Sequence, residues 1–472
     1  MEDETILKVK EQLSLFETEK VTDERISYLD KLFYLLKSDL DFHNQVSNYS
    51  SHNFHSFPAK FPPQLPKLFI NELTIPNDVV LDPMAGSGTT IVEAYSAKRK
   101  AIGFDIDPLA LKIAKVKTTP LYKKELMKFG QEIYIKAQND LVNKTEELKK
   151  ALQNHFDSKT KDFINYWFLL ETQLELFALW KHIDKIQEED YKNFFEMVFS
   201  SIIITKSGGV SLALDLAHTR PHKTKILLDK AGNVLFGNEY FDTSRKYNLT
   251  KTMKSPIEEF RKRLSLNFSN LIENKPFRVK PEIKYCDSQQ LCLPDHSVDL
   301  IVTSPPYASN AIDYMRAHKF SLIWFGYKID ELTAMRKEYI GAESTTNYFF
   351  ENLPNNTTQK IKEISEIDKN RGSVLKRYFS EITKTLKEMY RVLKPQKAAI
   401  VVVGSSVMRG IDTETQKCLE EIGKGIGFIV PHIGVRKLDR NKRMLPAGFK
   451  TDLSSQIQQR MHEEYILGFY KP

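Results

Sequence analysis

The sequence is poor in cysteine and has no long apolar run. Its three cysteines are Cys286, Cys292 and Cys418, and their spacing fits neither a zinc site nor a disulfide framework. No stretch of about 18 uninterrupted apolar residues occurs, so we expect no membrane span. The first residues, M-E-D-E-T-I-L-K, are acidic and lack the apolar core of a signal peptide. These absences predict a metal-free protein of a reducing cytoplasm.

The composition is that of an ordinary globular protein. Hydrophobic residues make up 41% of the 472 residues and charged residues 28%. Lys and Arg number 69 against 61 Asp and Glu, which gives a formal net charge of +8. This mild excess is compatible with a polyanionic partner but does not establish one.

Two parts of the chain alternate strands with helices, which predicts an α/β fold with a doubly wound parallel sheet. The first part holds strands in D-V-V-L-D-P-M (78–84) and R-K-A-I-G-F-D-I-D (99–107), followed by a helix from Pro108. The second part resumes at residue 282 with E-I-K-Y-C-D, V-D-L-I-V-T-S and later A-A-I-V-V-V-G. The last two apolar segments of the chain, G-F-I-V-P-H-I-G-V-R (427–436) and E-E-Y-I-L-G-F-Y (463–470), predict an antiparallel terminal hairpin of the sheet.

The remaining segments are assigned from periodicity and polarity. Residues 1–50 predict a helical preface, and residues 119–279 predict an inserted, mainly helical region. Residues 331–373 are polar and predict a mobile loop. Trp167, Trp180 and Trp324 are expected in the core.

Two glycines follow the first strand in Asp82-Pro83-Met84-Ala85-Gly86-Ser87-Gly88-Thr89. At the carboxyl end of a strand, such glycines let the backbone approach a ligand before the next helix begins. No Gly-Lys-Ser/Thr follows, so a nucleoside triphosphate is not expected. A purely structural turn remains an equal alternative for this motif alone.

Carboxylates end the next two strands. Asp105 and Asp107 lie about 20 residues beyond the glycines, where a ribose hydroxyl pair would bind, and Asp287 ends the third strand. Each of them alone could be a helix cap. Together they predict a pocket for an adenosine-type ligand without phosphates, of which S-adenosylmethionine is an example.

The fourth strand ends in Thr303-Ser304-Pro305-Pro306-Tyr307. An exocyclic amine on a base is a poor nucleophile, and acceptors for its two N–H groups would help it attack a methyl sulfonium. Ser304 Oγ and the Pro305 carbonyl could be those acceptors, because prolines fix φ and offer no competing N–H donor. Tyr307 could stack on an extruded base. A strand-ending turn with a packed tyrosine is the alternative.

These motifs resemble those of a known family. L-D-P-M-A-G-S-G-T-T, G-F-D-I-D and T-S-P-P-Y resemble motifs I, II and IV of the amino-group DNA methyltransferases, especially the N4-cytosine branch. H-S-F-P-A-K-F-P-P (55–63) is similar to motif X of that family, which lines the methionine end of the cofactor. The resemblance implies a seven-stranded, mostly parallel Rossmann-like sheet with an antiparallel last strand. It places the catalytic domain in 51–118 plus 280–472.

The resemblance implies S-adenosyl-L-methionine as the cofactor, with no metal, and a set of site residues. The implied cofactor-binding residues are Phe57, Pro58, Ala59, Lys60, Phe61, Asp82, Pro83, Ala85, Gly86, Ser87, Gly88, Thr89, Asp105, Ile106, Asp107, Asp287 and Ser288. The implied catalytic residues are Ser304, Pro305, Pro306 and Tyr307.

The resemblance further implies transfer of a methyl group to the N4 amine of a flipped-out cytosine in double-stranded DNA. No Pro-Cys dipeptide occurs, which excludes covalent attack on the cytosine ring by a cysteine. Adenine-N6 methylation, methylation of an RNA amine and a catalytically silent DNA-binding subunit stay open. The family also suggests a bacterial or phage-encoded, nucleoid-associated restriction-modification enzyme with a separate cognate endonuclease.

Basic residues of three regions are candidates for DNA contacts. The long insertion departs from the family pattern, and we expect it to hold the target-recognition region, although a solvated basic face is the alternative. The candidates are Arg220, Lys223, Lys225, Arg261 and Arg263 in the insertion, Arg316 after the catalytic turn, and Arg440, Lys442 and Arg443 near the carboxyl terminus.

Overall fold

The computed structural model describes most of the chain. The described residues are 26–43, 45–57, 60–206, 208–216, 223–237, 250–269, 271, 279–308, 313–345, 348–438 and 463–472. The site predictions that lie outside the described residues are Pro58, Ala59, Arg220, Arg440, Lys442 and Arg443.

The strands alternate with helices at both ends of the chain. The strands are β1 (Val79–Asp82), β2 (Lys100–Asp105), β3 (Ile226–Leu228), β4 (Val234–Phe236), β5 (Thr250–Thr252), β6 (Glu282–Tyr285), β7 (Val298–Thr303), β8 (Leu393–Val403), β9 (Val407–Met408), β10 (Ile411–Asp412), β11 (Ile433–Lys437) and β12 (Glu463–Lys471).

The α-helices are α1 (Tyr28–Lys37), α2 (Gln64–Leu73), α3 (Thr89–Ser96), α4 (Pro108–Thr118), α5 (Lys123–Asn143), α6 (Thr145–His155), α7 (Ser158–Trp167), α8 (Leu170–Ile183), α9 (Glu189–Ile203), α10 (Pro256–Ser269), α11 (Tyr314–Leu322), α12 (Ile329–Met335), α13 (Asn355–Ile367), α14 (Lys369–Val392) and α15 (Thr415–Ile426). Two short 3₁₀ helices span Ser50–Asn53 and Arg336–Glu338.

The main sheet confirms the predicted fold class. Its described strands are arranged in the order β11-β12-β8-β7-β1-β2-β6, a seven-stranded sheet. The neighbours from β8 to β6 pair in parallel, whereas β12 is antiparallel to both β8 and β11. The chain order reverses between β1 and β7, and ligands of open α/β sheets bind outside the carboxyl ends of strands at such a point.

Helices cover both faces of this sheet because successive strand residues point to opposite sides. Val80 and Leu300 pack with α1 and α2 on one face. Leu81 and Ile301 pack with α13, α14 and α15 on the other. The inner strands are mostly apolar, and every residue of β7 is buried, as expected of a parallel sheet covered on both sides.

The insertion after α4 consists of α5–α9, a small sheet in the order β4-β3-β5, and α10. Its apolar residues share a core with the neighbouring helices of the main domain. Ile113 of α4 and Phe320 of α11 belong to the same hydrophobic cluster as Phe194 and Phe199 of α9. The three tryptophans are buried in this cluster, as predicted. The insertion is thus packed directly against the two helices that flank the carboxyl edge of the sheet.

The prediction of a mobile loop over residues 331–373 is wrong. Most of this segment is helical, in α12, the 3₁₀ helix Arg336–Glu338, α13 and the start of α14. The sequence of α13 is polar, but Ile361 and Ile364 lie one turn apart and pack into the core with Ile340. A few apolar residues on one face are enough to dock a short helix, since tertiary packing supplies most of its stability.

Other predictions for the ends of the chain can be compared with the structure. Of the helical preface, the described part forms α1, whose Leu32 and Leu36 are buried against the sheet. The terminal hairpin of β11 and β12 is antiparallel, as predicted. Among the described helices, none is long and apolar enough to cross a bilayer.

Candidate active site

A cavity with an empty volume of about 860 Å³ opens at the carboxyl edge of the sheet. It lies where the chain leaves β1, β2, β6 and β7, the four strands whose ends carry the predicted motifs. The predicted residues that line it are Phe57, Lys60, Phe61, Asp82, Pro83, Ala85, Gly86, Ser87, Thr89, Asp105, Ile106, Asp107, Asp287, Ser288, Ser304 and Pro306.

The glycine turn is shaped by two positive φ angles. Gly86 has φ +49° and Gly88 has φ +77°, a region that side chains other than glycine rarely adopt. A Cβ atom at Gly88 would lie 2.8 Å from the Ala114 Cβ atom, so glycine is also required for the close approach of α3 to α4. The Gly86 amide donates to Asp105 Oδ2 at 2.8 Å, which joins the turn to the end of β2.

Two carboxyl groups at the base of the cavity have raised pKa values. Burial, with the charge of Asp107 as the next cause, raises the pKa of Asp105 to about 7. Burial likewise raises the pKa of Asp82 to about 6. Because these groups are desolvated, hydroxyl donors of a bound ligand would interact with them more strongly than in water. Asp105 is therefore well suited to accept hydrogen bonds from a sugar.

Asp107 mainly stabilises the fold next to the cavity. Its Oδ1 atom accepts the Leu109 and Ala110 amides and caps α4, while Oδ2 is 2.6 Å from His318 Nδ1 and accepts the Tyr339 hydroxyl at 2.9 Å. Burial acts to raise the pKa of Asp107, but the charge and hydrogen bond of His318 outweigh it and leave the pKa below its ordinary value. The side chain joins α4 to α11.

The third acidic position ends β6. The Asp287 carboxylate accepts the Gln289 amide at 2.9 Å and remains partly exposed to the cavity. Ser288 is buried beside it, with its hydroxyl 3.3 Å from that of Thr385 on α14. These contacts fix the strand end and leave Asp287 accessible to a ligand.

The segment before α2 forms one wall of the cavity. The Phe57 ring stacks on Tyr314 with centroids 5.5 Å apart. Lys60 Nζ donates to the His52 and His55 carbonyls at 2.9 and 3.3 Å. Part of the Lys60 side chain is exposed, but desolvation of its ammonium group lowers the pKa to about 8.

Only part of the Ser304–Tyr307 turn lines the cavity. Ser304 and Pro306 line the cavity, whereas Pro305 is buried. The Tyr307 ring is not part of the lining; its hydroxyl donates to Glu464 Oε1 of β12 at 2.9 Å. Burial and the Glu464 charge raise the Tyr307 pKa well above its ordinary value, and a hydrogen bond with Ser304 acts in the opposite direction.

Several cavity residues were not foreseen. They are Met84, Ala110, Cys286, Tyr339 and Ile340. Two of them, Tyr339 and Ile340, belong to the segment assigned to a mobile loop. The signal that could have found them is the aromatic and apolar pair Y-I within that otherwise polar stretch.

The described DNA-contact candidates have partners in different parts of the structure. Arg261 pairs with Glu258 on its own helix, and Arg263 donates to the Asn53 carbonyl. Lys223 Nζ lies 4.6 Å from the Tyr166 ring centroid in the insertion. Arg316 is at the start of α11, next to the cavity-lining Tyr314.

Comparisons with known proteins agree with the motifs. A family model described as DNA methylase matches residues 10–116. The chain is similar to the type II methyltransferase M.MvaI of Kocuria varians, with 26% identity over 95% of this chain and 98% of that protein. It is also similar to M.BsoBI of Geobacillus stearothermophilus, with 24% identity over 85% of each chain. A short stretch covering 11% of this chain and 15% of the other is 47% identical to M.PvuII of Proteus hauseri.

One similar solved structure is TTHA0409 of Thermus thermophilus in complex with S-adenosyl-L-methionine. The match has 18% identity and a TM-score of 0.20, and it covers 39% of this chain and 53% of that one. The chain therefore matches about half the length of that solved protein.

Proposed function

Because the chain belongs to the amino-group DNA methyltransferases, we propose that it methylates the exocyclic N4 amine of cytosine in double-stranded DNA, with S-adenosyl-L-methionine as the methyl donor. The observation that carries this proposal is the cavity shared by the glycine turn, Asp105 and Ser304. One cavity lined by both motifs can hold a methyl donor and an acceptor amine next to each other.

The residues that line the cavity fit S-adenosylmethionine in their chemistry. Asp105 would accept the ribose hydroxyls, Ile106 offers an apolar contact for the adenine, and Asp287 could accept its amine. The glycine turn would lie against the methionine end, together with Phe57. When bound, the cofactor would supply an electrophilic methyl group at this edge of the sheet.

The catalytic turn would act on the target amine through hydrogen-bond acceptors. The lone pair of the amine is delocalised into the base, so the nitrogen must rehybridise before it attacks. Ser304 Oγ and the Pro305 carbonyl would accept its two N–H groups, and neither proline carries a competing N–H donor. Orientation and electrostatics would supply most of the acceleration, with no covalent enzyme intermediate.

Tyr307 would contact the extruded base from outside the cofactor cavity. Its hydroxyl is held by Glu464, which in turn forms an ion pair with Arg436 of β11. This network fixes the ring beside Ser304 before DNA arrives. A fixed aromatic ring loses little conformational entropy when a base stacks on it.

If Tyr307 acts in this way, Tyr307→Phe and Glu464→Gln should each lower turnover about tenfold, because a hydrogen bond to a charged group contributes roughly 1.5–3 kcal/mol. The double variant should be little worse than Tyr307→Phe alone, since Glu464→Gln weakens the same hydrogen bond that Tyr307→Phe removes. The rate of methyl transfer to DNA measures the turnover of each variant. Glu463→Gln, one residue earlier on the same strand, is the matched control and should keep wild-type turnover; additive losses in the double variant would refute the network.

Serine at position 304 favours cytosine over adenine. In the resembling family, adenine-directed members more often carry Asp or Asn at that position. Adenine-N6 methylation with the same machinery is the second candidate. An RNA amine as the substrate would leave the long insertion without a role. A silent DNA-binding subunit would leave the complete set of pocket residues without a role.

Methylation of plasmid DNA by the purified protein, followed by base-resolution sequencing of the product, tests the proposal. We expect N4-methylcytosine within one short sequence motif. N6-methyladenine would select the second candidate, and absence of any DNA methylation would overturn both. The similarity to type II methyltransferases suggests that the motif is also the site of a separate restriction endonuclease, which protection of the methylated plasmid from cleavage would reveal.

A further inference from the structure

Two arginines share one carboxylate beside the cavity. Asp313 Oδ2 is 2.5 Å from Arg336 Nη2 and 3.3 Å from Arg316 Nη2. Asp313 also caps α11, because its Oδ1 atom accepts the Arg316 amide at 3.1 Å. One negative charge therefore faces two positive ones, and the group as a whole is cationic.

Arg316 and Arg336 are each close in sequence to a residue that lines the candidate active site. Arg316 is two residues beyond Tyr314, and Arg336 is three residues before Tyr339; both tyrosines line the cavity. Tyr339 is fixed through its hydrogen bond to Asp107. Neither arginine is among the residues that line the cavity; both lie on the elements that carry its lining residues Tyr314 and Tyr339.

The backbone that carries Arg336 is firmly anchored. Arg377 of α14 donates to the Lys337 carbonyl at 2.9 Å and also to the Ser344 carbonyl. Glu381 accepts the Gly341 amide at 2.8 Å and pairs with Arg377. A side chain on such a platform is held in place at low entropic cost, as a binding residue requires.

The arginines keep hydrogen-bond donors that Asp313 does not satisfy. A guanidinium group has five N–H donors in a planar fork, and one carboxylate cannot satisfy two such groups. Within the described part of the chain, Arg316 Nε is buried and has no hydrogen-bond partner, so the exposed part of the fork is its terminal nitrogens. The side chains of Arg316 and Arg336 are 31% and 34% exposed, so an anion can reach both. Arginine forks match phosphate oxygens in geometry and charge.

We propose that Arg316 and Arg336 together bind a DNA phosphodiester next to the target nucleotide and so hold the extruded base at the Ser304 turn. This inference rests on the proposed function, since it assumes DNA as the substrate. Asp313 orients the two forks in the free protein and keeps them from repelling each other. Arg336 is a residue that the sequence motifs alone did not single out.

The proposal is tested by measuring the affinity of the protein for unmethylated duplex DNA that contains its recognition motif, with S-adenosylhomocysteine present. Arg316→Gln and Arg336→Gln should each weaken DNA binding about tenfold. The slope of log K against log salt concentration should become shallower by about one unit for each phosphate that is no longer neutralised. Lys100→Gln removes the same charge at the amino end of β2, the opposite edge of the sheet, and should change neither quantity appreciably.

A neutral methylphosphonate placed at each phosphate around the target base identifies the phosphate that the arginines bind. At one position it should weaken binding to the wild type about tenfold and leave binding to the Arg316→Gln/Arg336→Gln protein unchanged. Arg→Lys variants, which keep the charge and the fold, should bind with intermediate affinity because they lack the planar fork.

Cofactor affinity, measured by calorimetry, separates a phosphate site from a structural ion pair and from a site for the cofactor carboxylate. Unchanged DNA affinity and salt slope in folded variants would overturn the proposal and leave a structural ion pair. Weaker cofactor binding with normal DNA binding would overturn it in favour of a site for the cofactor carboxylate. Failure of DNA methyltransferase activity as such is distinguishable, since the wild type would then methylate no DNA at all, whereas a change of target base from cytosine to adenine leaves this test valid.

Discussion

Replacing Ser304 with alanine is expected to lower methyl transfer at least about 100-fold while cofactor affinity stays within about twofold. The loss is comparable to that of removing one preorganised hydrogen-bond partner of a transition state, roughly 10²–10³ in turnover. The reason is that Ser304 Oγ would contact the amine only as the nitrogen rehybridises. Ser304 lines the cavity, but the contacts proposed for the cofactor come from the β1, β2 and β6 ends.

Single-turnover methylation measures the chemical step, and calorimetry with S-adenosylhomocysteine measures binding. Ser297→Ala is the matched control, because Ser297 lies just before the amino end of the same strand and its hydroxyl donates to the Pro294 carbonyl, away from the cavity. A parallel loss of cofactor affinity in Ser304→Ala would show that Ser304 binds the cofactor instead. Normal turnover would remove the acceptor turn from the mechanism.

The parts of the fold that sequence reasoning identified are those fixed by local pattern. The strands β1, β2 and β7 are mostly apolar; β1 and β2 end in aspartate, and prolines follow β1 and β7 closely, which marks the strand ends without any knowledge of distant contacts. Parallel strands bring their carboxyl ends to one edge, so the assembly of the cavity followed from the strand assignment alone.

The features that sequence reasoning did not reach have the opposite cause, because they depend on contacts between residues far apart in the chain. The α13 helix was missed since its stability comes from Ile361 and Ile364 packing on a distant sheet face. The orientation of Tyr307 is set by Glu464, which lies 157 residues away in the sequence. Likewise Asp107 pairs with His318, 211 residues later. No local pattern encodes such pairings.

The same distinction applies to the insertion. Its helical periodicity was visible, but its union with α4 and α11 in one hydrophobic cluster was not. This packing sets the insertion against α11, which begins at the cavity-lining Tyr314.

Replacing Asp105 with asparagine is expected to weaken cofactor binding roughly 10- to 100-fold, as the loss of hydrogen bonds to a charged acceptor of about 1.5–3 kcal/mol implies. The substitution keeps the shape of the side chain. It costs some stability as well, because Asp105 accepts both the Gly86 and Asp107 amides and an amide oxygen can replace only one of its two oxygens.

The pH dependence makes this prediction specific to Asp105. Its pKa is raised to about 7 by burial, with Asp107 and Asp82 as neighbouring charges, from an ordinary value of 3.8. In the free protein, the protonated form is therefore favoured by folding. Its contribution to stability is fully present below about pH 4 and is lost as the pH rises through about 7.

Cofactor affinity should change with pH in the opposite direction. Ribose hydroxyls donate more strongly to the ionised carboxylate, so the affinity of the wild type should rise between about pH 6 and 8 and then level off. In Asp105→Asn this rise should be absent, while Asp184→Asn, at an exposed position paired with Lys192, should retain it. Calorimetry across this range, with thermal unfolding of the free proteins in the same buffers, measures both slopes. An unchanged affinity in Asp105→Asn would remove Asp105 from the cofactor site, and an unchanged pH slope would assign the titration to another group, such as Asp82 with its pKa of about 6.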